Sequence, residues 1–285
     1  MSELASTLVF LIADGLIWGS LIALIALGLS LIYGIMGIIN MAHGDFFMVG
    51  AVLAVAISGW LGAFWPALLI APVVVGVLAL PLERWVLRPF EGRPLLTLVS
   101  TIGLSFVLQQ VALILFGGTP RRLEAPLQFV VAFVGVTLPG YRVVAAAIGL
   151  VLVAALWVVV YRTELGVRIR ATMERPDIAD AVGIDTSRVR VLTFGLGAAL
   201  AAAAGVLAAP VTQVFYLMGN DVLLFSYIVV IVGGLGSLEG ALAAALVLSG
   251  VEALLTVVVS PVEARALMLL AMALVLLVRP RGLFA

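Results

Sequence analysis

Cysteine and lysine are both absent from this 285-residue sequence, and histidine occurs once, as His43. Without cysteine there is no disulfide, no thiol nucleophile and no Cys-based metal site. A single histidine also excludes a multi-histidine metal centre. All fifteen basic residues are arginine, so the ammonium group that a phosphate-binding loop or a Schiff-base enzyme requires is missing. If ATP drives this protein, another chain hydrolyses it. Charge of either sign is scarce: 11% of residues are charged, against about 25% in an average soluble domain. The net charge is zero, which offers neither a basic nucleic-acid surface nor an acidic tail.

Apolar sequence is abundant. Hydrophobic residues make up 65% of the chain and the mean hydropathy is +1.32. A bilayer core about 30 Å thick needs about 20 apolar helical residues, and only helices or closed barrels satisfy their own backbone groups in lipid. Runs of that length fall near 8–32, 36–58, 64–82, 95–116, 143–160, 191–212, 222–236, 240–259 and 263–279. The second and seventh are polar or glycine-broken, so the sequence predicts an all-α polytopic membrane protein with eight to ten transmembrane segments, some of them broken helices. Residues 1–285 are read as one transmembrane domain. The start lacks a positive region, and its apolar run is far longer than the roughly 7 to 15 residues of a signal segment, so it is expected to be a retained first span.

Arginine position sets the expected orientation, because cytoplasmic loops carry the excess. Arg84, Arg88 and Arg93 share one loop, six arginines from Arg162 to Arg190 a second, and Arg279 and Arg281 the C-terminus. Placing these inside leaves Arg121, Arg122, Arg142 and Arg265 outside. Nine spans then put the N-terminus outside and the C-terminus inside; ten, or eight with a re-entrant segment, would change the N-terminal side without moving the loops. Between them, about 117–142 is expected to be an extracytoplasmic hairpin or loop, with β-branched residues around Gly135 and a turn signal at Pro139. Asp14 and Trp18 look like interfacial anchors.

Three interruptions carry chemical interest. The polar loop about 161–190 contains Pro176, suited to the first position of a helix, Asp177, suited to its positive dipole end, and Gly183, suited to the left-handed residue that closes it. A short surface helix with Glu174, Arg175, Asp177 and Asp180 exposed is something a soluble partner can grip; an ordinary solvated loop is the plainer reading. Next, Asn40, His43 and Asp45 lie among apolar residues of the second run. An ionisable group in a membrane usually faces protein or a water-filled path, although a stretch at the membrane surface would hold them at little cost. A third break places Gly233, Gly234, Gly236 and Gly240 close together, and interrupted segments in two halves of a chain point to a translocation site between them; small residues at such spacing also simply permit tight helix packing. Gln109, Gln110 and Gln213 could bond a passing solute or, alternatively, neighbouring helices.

Those residues resemble a known family. YGIMGIINMAHGDFFMVGA, LLTLVSTIGLSFVLQQ, RATMERPDIADAVGIDTSRVRVLTF, VVIVGGLGSLEGALAAAL and the closing RPRGLF are similar to the LivH-like branched-chain amino acid permeases of bacterial ABC importers, and the similarity runs nearly the whole length. The resemblance implies an ABC importer permease fold in the bacterial cytoplasmic membrane. It also implies a second, LivM-like permease subunit, two cytoplasmic ABC ATPase subunits and an extracytoplasmic solute-binding protein as partners. No cofactor is expected on this chain, ATP being used by the partners. A coupling helix from about Ala171 to Gly183, including Met173, Glu174, Arg175, Pro176, Asp177, Ala179 and Gly183, would seat in an ATPase groove. Asn40, His43, Asp45, Gln109, Gln213, Gly233, Gly234 and Gly236 are candidates for the translocation path. Branched-chain or other hydrophobic amino acids are the expected solutes, with urea, amides or small organic acids as alternatives. A stand-alone secondary transporter would need several buried acids, for which Asp45, Asp221, Glu239 and Glu252 are the candidates. A membrane enzyme has too few nucleophiles and bases to build from.

Overall fold

The computed structural model describes residues 3–284. Long apolar runs become helices: α1 (Glu3–Met36), α2 (His43–Leu61), α3 (Trp65–Leu82), α4 (Pro94–Phe116), α5 (Gly140–Arg162), α6 (Glu164–Glu174), α7 (Pro176–Ala181), α8 (Thr186–Ala208), α9 (Met218–Gly233), α10 (Leu238–Leu255) and α11 (Pro261–Val278). Among the described residues, eight of these are long and apolar enough to cross a membrane, and α9 is a shorter apolar helix. The protein is therefore a nearly all-helical polytopic membrane protein. A two-stranded hairpin, β1 (Val130–Phe133) and β2 (Val136–Pro139), is the one sheet among the described residues.

Small residues decide which helices sit at the centre. In the apolar stretch of α8, 78% of residues are buried, against 11% for α11, so α8 is the hub and α11 lies at the periphery. Apart from Leu200, the run Ala198–Gly205 supplies almost no side-chain bulk, which lets α1, α2 and α3 approach α8 closely, as membrane helix interfaces require. A Cβ placed on Gly28 would lie 2.6 Å from the Gly197 carbonyl oxygen, and one placed on Gly205 would lie 2.0 Å from that of Phe47. These are backbone-to-backbone contacts that no larger residue permits.

Two ends of the bundle are distinguishable. At one end Glu91 pairs with Arg190, Arg84, Arg88 and Arg188 line one cavity, and Gly282 packs on Gly234. The arginine-bearing segments 84–93, 162–190 and 279–281 therefore share one end, as their composition predicts. At the opposite end Arg142 pairs with Asp14, Phe64 stacks edge-on against Tyr141 at 5.8 Å, the Tyr141 hydroxyl donates to the Leu207 carbonyl at 2.9 Å, and Arg121 bridges Val214. Asp14, early in α1, and Gly282, just past α11, therefore lie at opposite ends of the bundle.

Several boundaries differ from those read in the sequence. The run 36–58 is not one span: residues 37–42 are non-helical and α2 begins at His43. Gly37, at φ 62°, ends α1 in the left-handed conformation. The seventh segment is α9, which begins at Met218 and stops at Gly233 rather than reaching 236. The polar loop carries two helices in place of one, because residues before proline avoid the helical region and Arg175, at φ −148° and ψ 83°, breaks the chain ahead of Pro176. Met173 and Glu174 accordingly belong to α6. In the hairpin the turn lies at Val134 (φ 45°) and Gly135 (φ 80°), the two-residue left-handed type that suits strand twist; Pro139 instead ends β2 and leads directly into α5.

Candidate functional site

α2 starts inside the bundle, and local hydrogen bonding explains how. After Gly37 the chain runs without helical structure until Asn40, whose side-chain oxygen accepts from the Ala42 amide at 3.1 Å while its carbonyl accepts from the His43 amide at 3.1 Å. Asparagine commonly turns a chain in this way. The Thr101 hydroxyl oxygen of α4 accepts from the Met41 amide at 3.2 Å, pinning the loop from the other side. His43 Nε2 lies 3.1 Å from the Ile25 carbonyl oxygen of α1. Only an N–H can bond a carbonyl, so Nε2 carries the proton and donates. His43 is wholly buried and ties α2 to the middle of α1, facing no opening.

Asp45 follows in the first turn of α2, where the helix dipole favours an acid. Its Oδ1 accepts from Gln109 Nε2 at 3.0 Å, and that same nitrogen lies 3.0 Å from Ser105 Oγ and 3.1 Å from Asn220 Oδ1. Gln109 thus joins three helices, α2, α4 and α9. The first turn of α9 presses directly on that of α2: a Cβ on Gly44 would meet the Gly219 carbonyl oxygen at 2.3 Å. The first turns of α2 and α9 meet there, and the polar atoms gather at the contact. Asp45 is 1% exposed and Asn40 0%, yet Asp45 Oδ2 and Asn40 Nδ2 have no hydrogen-bond partner among the described residues. An unpaired buried donor or acceptor costs about 1 to 3 kcal/mol, so both atoms gain from any polar molecule that reaches them. Asn220 is exposed and forms the accessible edge of the cluster.

The remaining expected residues distribute over two other places. Gln213 is exposed and lines a cavity at the opposite end from the arginines, and Gln110 is exposed beside the buried Gln109. Gly233, Gly234 and Gly236 lie away from Asp45, at the arginine-rich end. There Gly233 packs on Gly240, Gly234 on Gly282, and Gly236 on Gly34 of α1. Met173 reaches the same point, its terminal methyl within 2.1 Å of where a Cβ on Gly34 would stand. The glycine break therefore sits with the polar loop, and Glu174 and Gly236 line one cavity of about 420 Å³. Asp14 is not a free anchor, since it pairs with Arg142.

α7 is held against the bundle by Ala179, which is 2% exposed. Gly183 closes it at φ 88°, donating to the Asp180 carbonyl at 3.0 Å, while Ile184 donates to the Ala179 carbonyl at 3.0 Å. Pro176 is half-buried, whereas Glu174, Arg175 and Asp177 are exposed. Ile178 and Val182, 50% and 71% exposed, stand one turn apart on the outer side of α7. These two apolar residues escaped the sequence reading, as did Thr101, Ser105 and Asn220. A signal for the α4 pair was present: Thr97, Thr101, Ser105 and Gln109 recur every four residues, which aligns them along one side of a helix. Among the described residues, no group of three or more His, Asp or Glu side chains could hold a metal ion.

Comparison with known proteins bears on this arrangement as a whole. Residues 11–278 match the family model described as branched-chain amino acid transport system / permease component. The chain is 31% identical over 296 aligned positions, 95% of its length and 93% of the relative's, to the high-affinity branched-chain amino acid transport system permease protein LivH of Escherichia coli (strain K12). Over 262 aligned positions, 85% of this chain and 84% of the relative, it is 30% identical to the corresponding protein BraD of Pseudomonas aeruginosa. A probable branched-chain amino acid transport permease protein LivH of Methanocaldococcus jannaschii is 26% identical over 261 positions, covering 86% and 80% of the two chains. No solved structure matches.

Proposed function

The chain belongs to the permease-component family of branched-chain amino acid transport systems, and from that premise we propose that it forms part of the translocation path of an ATP-driven importer for leucine-like amino acids in the bacterial cytoplasmic membrane. One observation carries the assignment of the path: the N-terminal turns of α2 and α9 meet inside the bundle at Asp45, Gln109 and Asn220. Broken helices with converging polar groups are how transporters offer a polar solute a binding place at membrane depth. Asn40 and His43 shape that place by fixing the start of α2.

The arginine-rich end is then cytoplasmic, and α7 is the part that a soluble ATPase grips. Ile178 and Val182 supply the apolar contact, and Glu174, Arg175 and Asp177 the charged surround. Motion of α6 and α7 has a direct route inward, because Met173 lies against Gly34 at the lower end of α1 and beside the Gly236 break. A second permease, LivM-like or another copy, two ATPase subunits and an extracytoplasmic binding protein complete the machine. ATP binds the partners and no cofactor is assigned to this chain.

Three amide side chains, Asn40, Gln109 and Asn220, favour urea or a small amide as a second reading. The deciding experiment is co-purification in gentle detergent followed by reconstitution. An attached ATPase, with ATP-dependent uptake of leucine and no sodium- or proton-driven flux, is the expected result. Urea uptake in place of leucine selects the second reading, and ion-driven uptake by the chain alone overturns both.

A further inference from the structure

At the end opposite the arginine-rich loops, a cavity of about 240 Å³ opens between α1, α2, α9 and α11. Ligand pockets for drug-sized molecules run to about 300 to 1,000 Å³, so this one is on the scale of a single small metabolite. Trp18, Phe47 and Phe215 give it apolar walls, while Gln213, Asp221 and Arg265 bring polar groups. The two charges are not equivalent in their attachments. Arg265 Nε lies 3.4 Å from Oε1 of Glu252, whose side chain is 14% exposed, and Arg265 Nη1 lies 3.6 Å from Oδ1 of Asp221, whose side chain is 75% exposed. Glu252 therefore anchors the guanidinium, and Asp221 is a loose, solvated neighbour that a ligand can displace at little cost.

We propose that this cavity is an outer reception site for a free α-amino acid, resting on the permease assignment above and extending it to a second station. The carboxylate of the ligand takes Arg265, whose planar fork matches a carboxylate. Its ammonium group takes Asp221, and its aliphatic side chain lies on Trp18, Phe47 and Phe215. Asp221 directly follows Asn220 on α9, and Asn220 Oδ1 accepts from Gln109, so release from the cavity delivers the solute to the edge of the Asp45 cluster. The adjoining cavity, which shares Trp18 and Thr212, also contains an acid and an arginine, but its Asp14 and Arg142 are paired directly with each other and leave neither free.

The test uses the full chain in phosphatidylglycerol nanodiscs, with L-leucine as the probe in saturation-transfer NMR. Saturable binding is expected, weakened about tenfold or more in R265Q and in D221N, as loss of a bond to a charged group implies. R265K should retain part of it, and R142Q should leave it unchanged. Two further probes act on the unaltered chain and decide the matter even where a variant does not fold: 4-methylpentanoate, which lacks the ammonium, and isoamylamine, which lacks the carboxylate, should each bind at least about tenfold more weakly than leucine. Equal binding of leucine and either single-charge probe overturns the proposal. So does binding of phosphoethanolamine without binding of leucine, which would make the cavity a lipid-headgroup site. An assembled transporter that imports leucine while the chain shows no saturable contact removes this station and leaves the permease assignment standing. One that imports no amino acid removes the assigned solute instead.

Discussion

Replacing Gln109 by leucine tests whether the Asp45 cluster is a working unit. Nε2 of Gln109 carries two hydrogens and faces three acceptors, at 3.0 Å, 3.0 Å and 3.1 Å, so two bonds form at any one time. A hydrogen bond to a charged acceptor contributes about 1.5 to 3 kcal/mol, and an interhelical bond in a membrane averages about 0.6 kcal/mol. Leucine preserves most of the packing, so the expected loss is about 2 to 4 kcal/mol, most of it at Asp45, whose second oxygen already lacks a partner. Denaturant titration of the purified full chain in micelles measures this. In a double-mutant cycle with Asp45→Ala, the two changes should share about 1.5 to 3 kcal/mol of coupling energy, because each removes the same bond. The complete transporter carrying Gln109→Leu should retain its ATPase subunits and lose most of its uptake. Coupling below about 0.5 kcal/mol, the range in which independent sites simply add, would refute the reasoning.

Gly205→Ala puts a methyl group 2.0 Å from the Phe47 carbonyl oxygen, and since backbone cannot swing aside, unfolding titration should register a loss of about 1 to 3 kcal/mol or more; Gly59→Ala, at an exposed helical site with nothing within 4 Å, should instead leave stability unchanged or raise it by up to about 1 kcal/mol. Gly183→Val forces a β-branched residue to φ 88°, a conformation costing about 1 to 2 kcal/mol; the chain should still insert and assemble, while ATP hydrolysis by the assembled transporter continues with reduced uptake. Ile178→Asp or Val182→Asp should lower ATPase recovery in co-purification about tenfold or more, as loss of a central apolar anchor does at other interfaces, with helix content by circular dichroism unchanged.

Membrane architecture was legible because hydrophobic length is a one-dimensional property. Nine apolar runs became nine helices, and arginine positions separated the two ends correctly. What failed to show was register in the third dimension. The sequence places Asp45 near a break and Gly233 near another, and nothing local reveals that α2 meets α9 at Gly219 while the glycine break meets α1 at Gly34. Polarity alone also gave His43 the same standing as Asp45, whereas the fold turns its imidazole onto the Ile25 carbonyl. Ser105 and Thr101 could have been found from their four-residue spacing with Gln109. Asn220 could not: nothing in the sequence sets it apart beside Asp221, and only the reach of the Gln109 side chain across the fold gives it a partner.

The longest helix explains why the two distant regions belong to one mechanism. α1 is a continuous helix of 34 residues, about 51 Å long at 1.5 Å per residue, which exceeds a hydrocarbon core of about 30 Å. Along it, Gly34 meets Met173 of the polar loop, Ile25 accepts the hydrogen bond from His43, and Asp14 pairs with Arg142 at the far end. A helix resists bending, so a push on Met173 displaces Gly34 and carries to Ile25, nine residues away or about 14 Å along the axis. His43 transmits that displacement to the start of α2, two residues from Asp45. The joint between α1 and α2 is non-helical at 37–42 and held by the Asn40 turn and by Thr101, whose hydroxyl accepts from the Met41 amide and lies 3.4 Å from the Ile39 carbonyl. On the proposed function, a stiff lever ending in such a joint would move the polar cluster without unpacking the glycine and alanine contacts of α8, and that is the mechanical property an alternating-access permease needs.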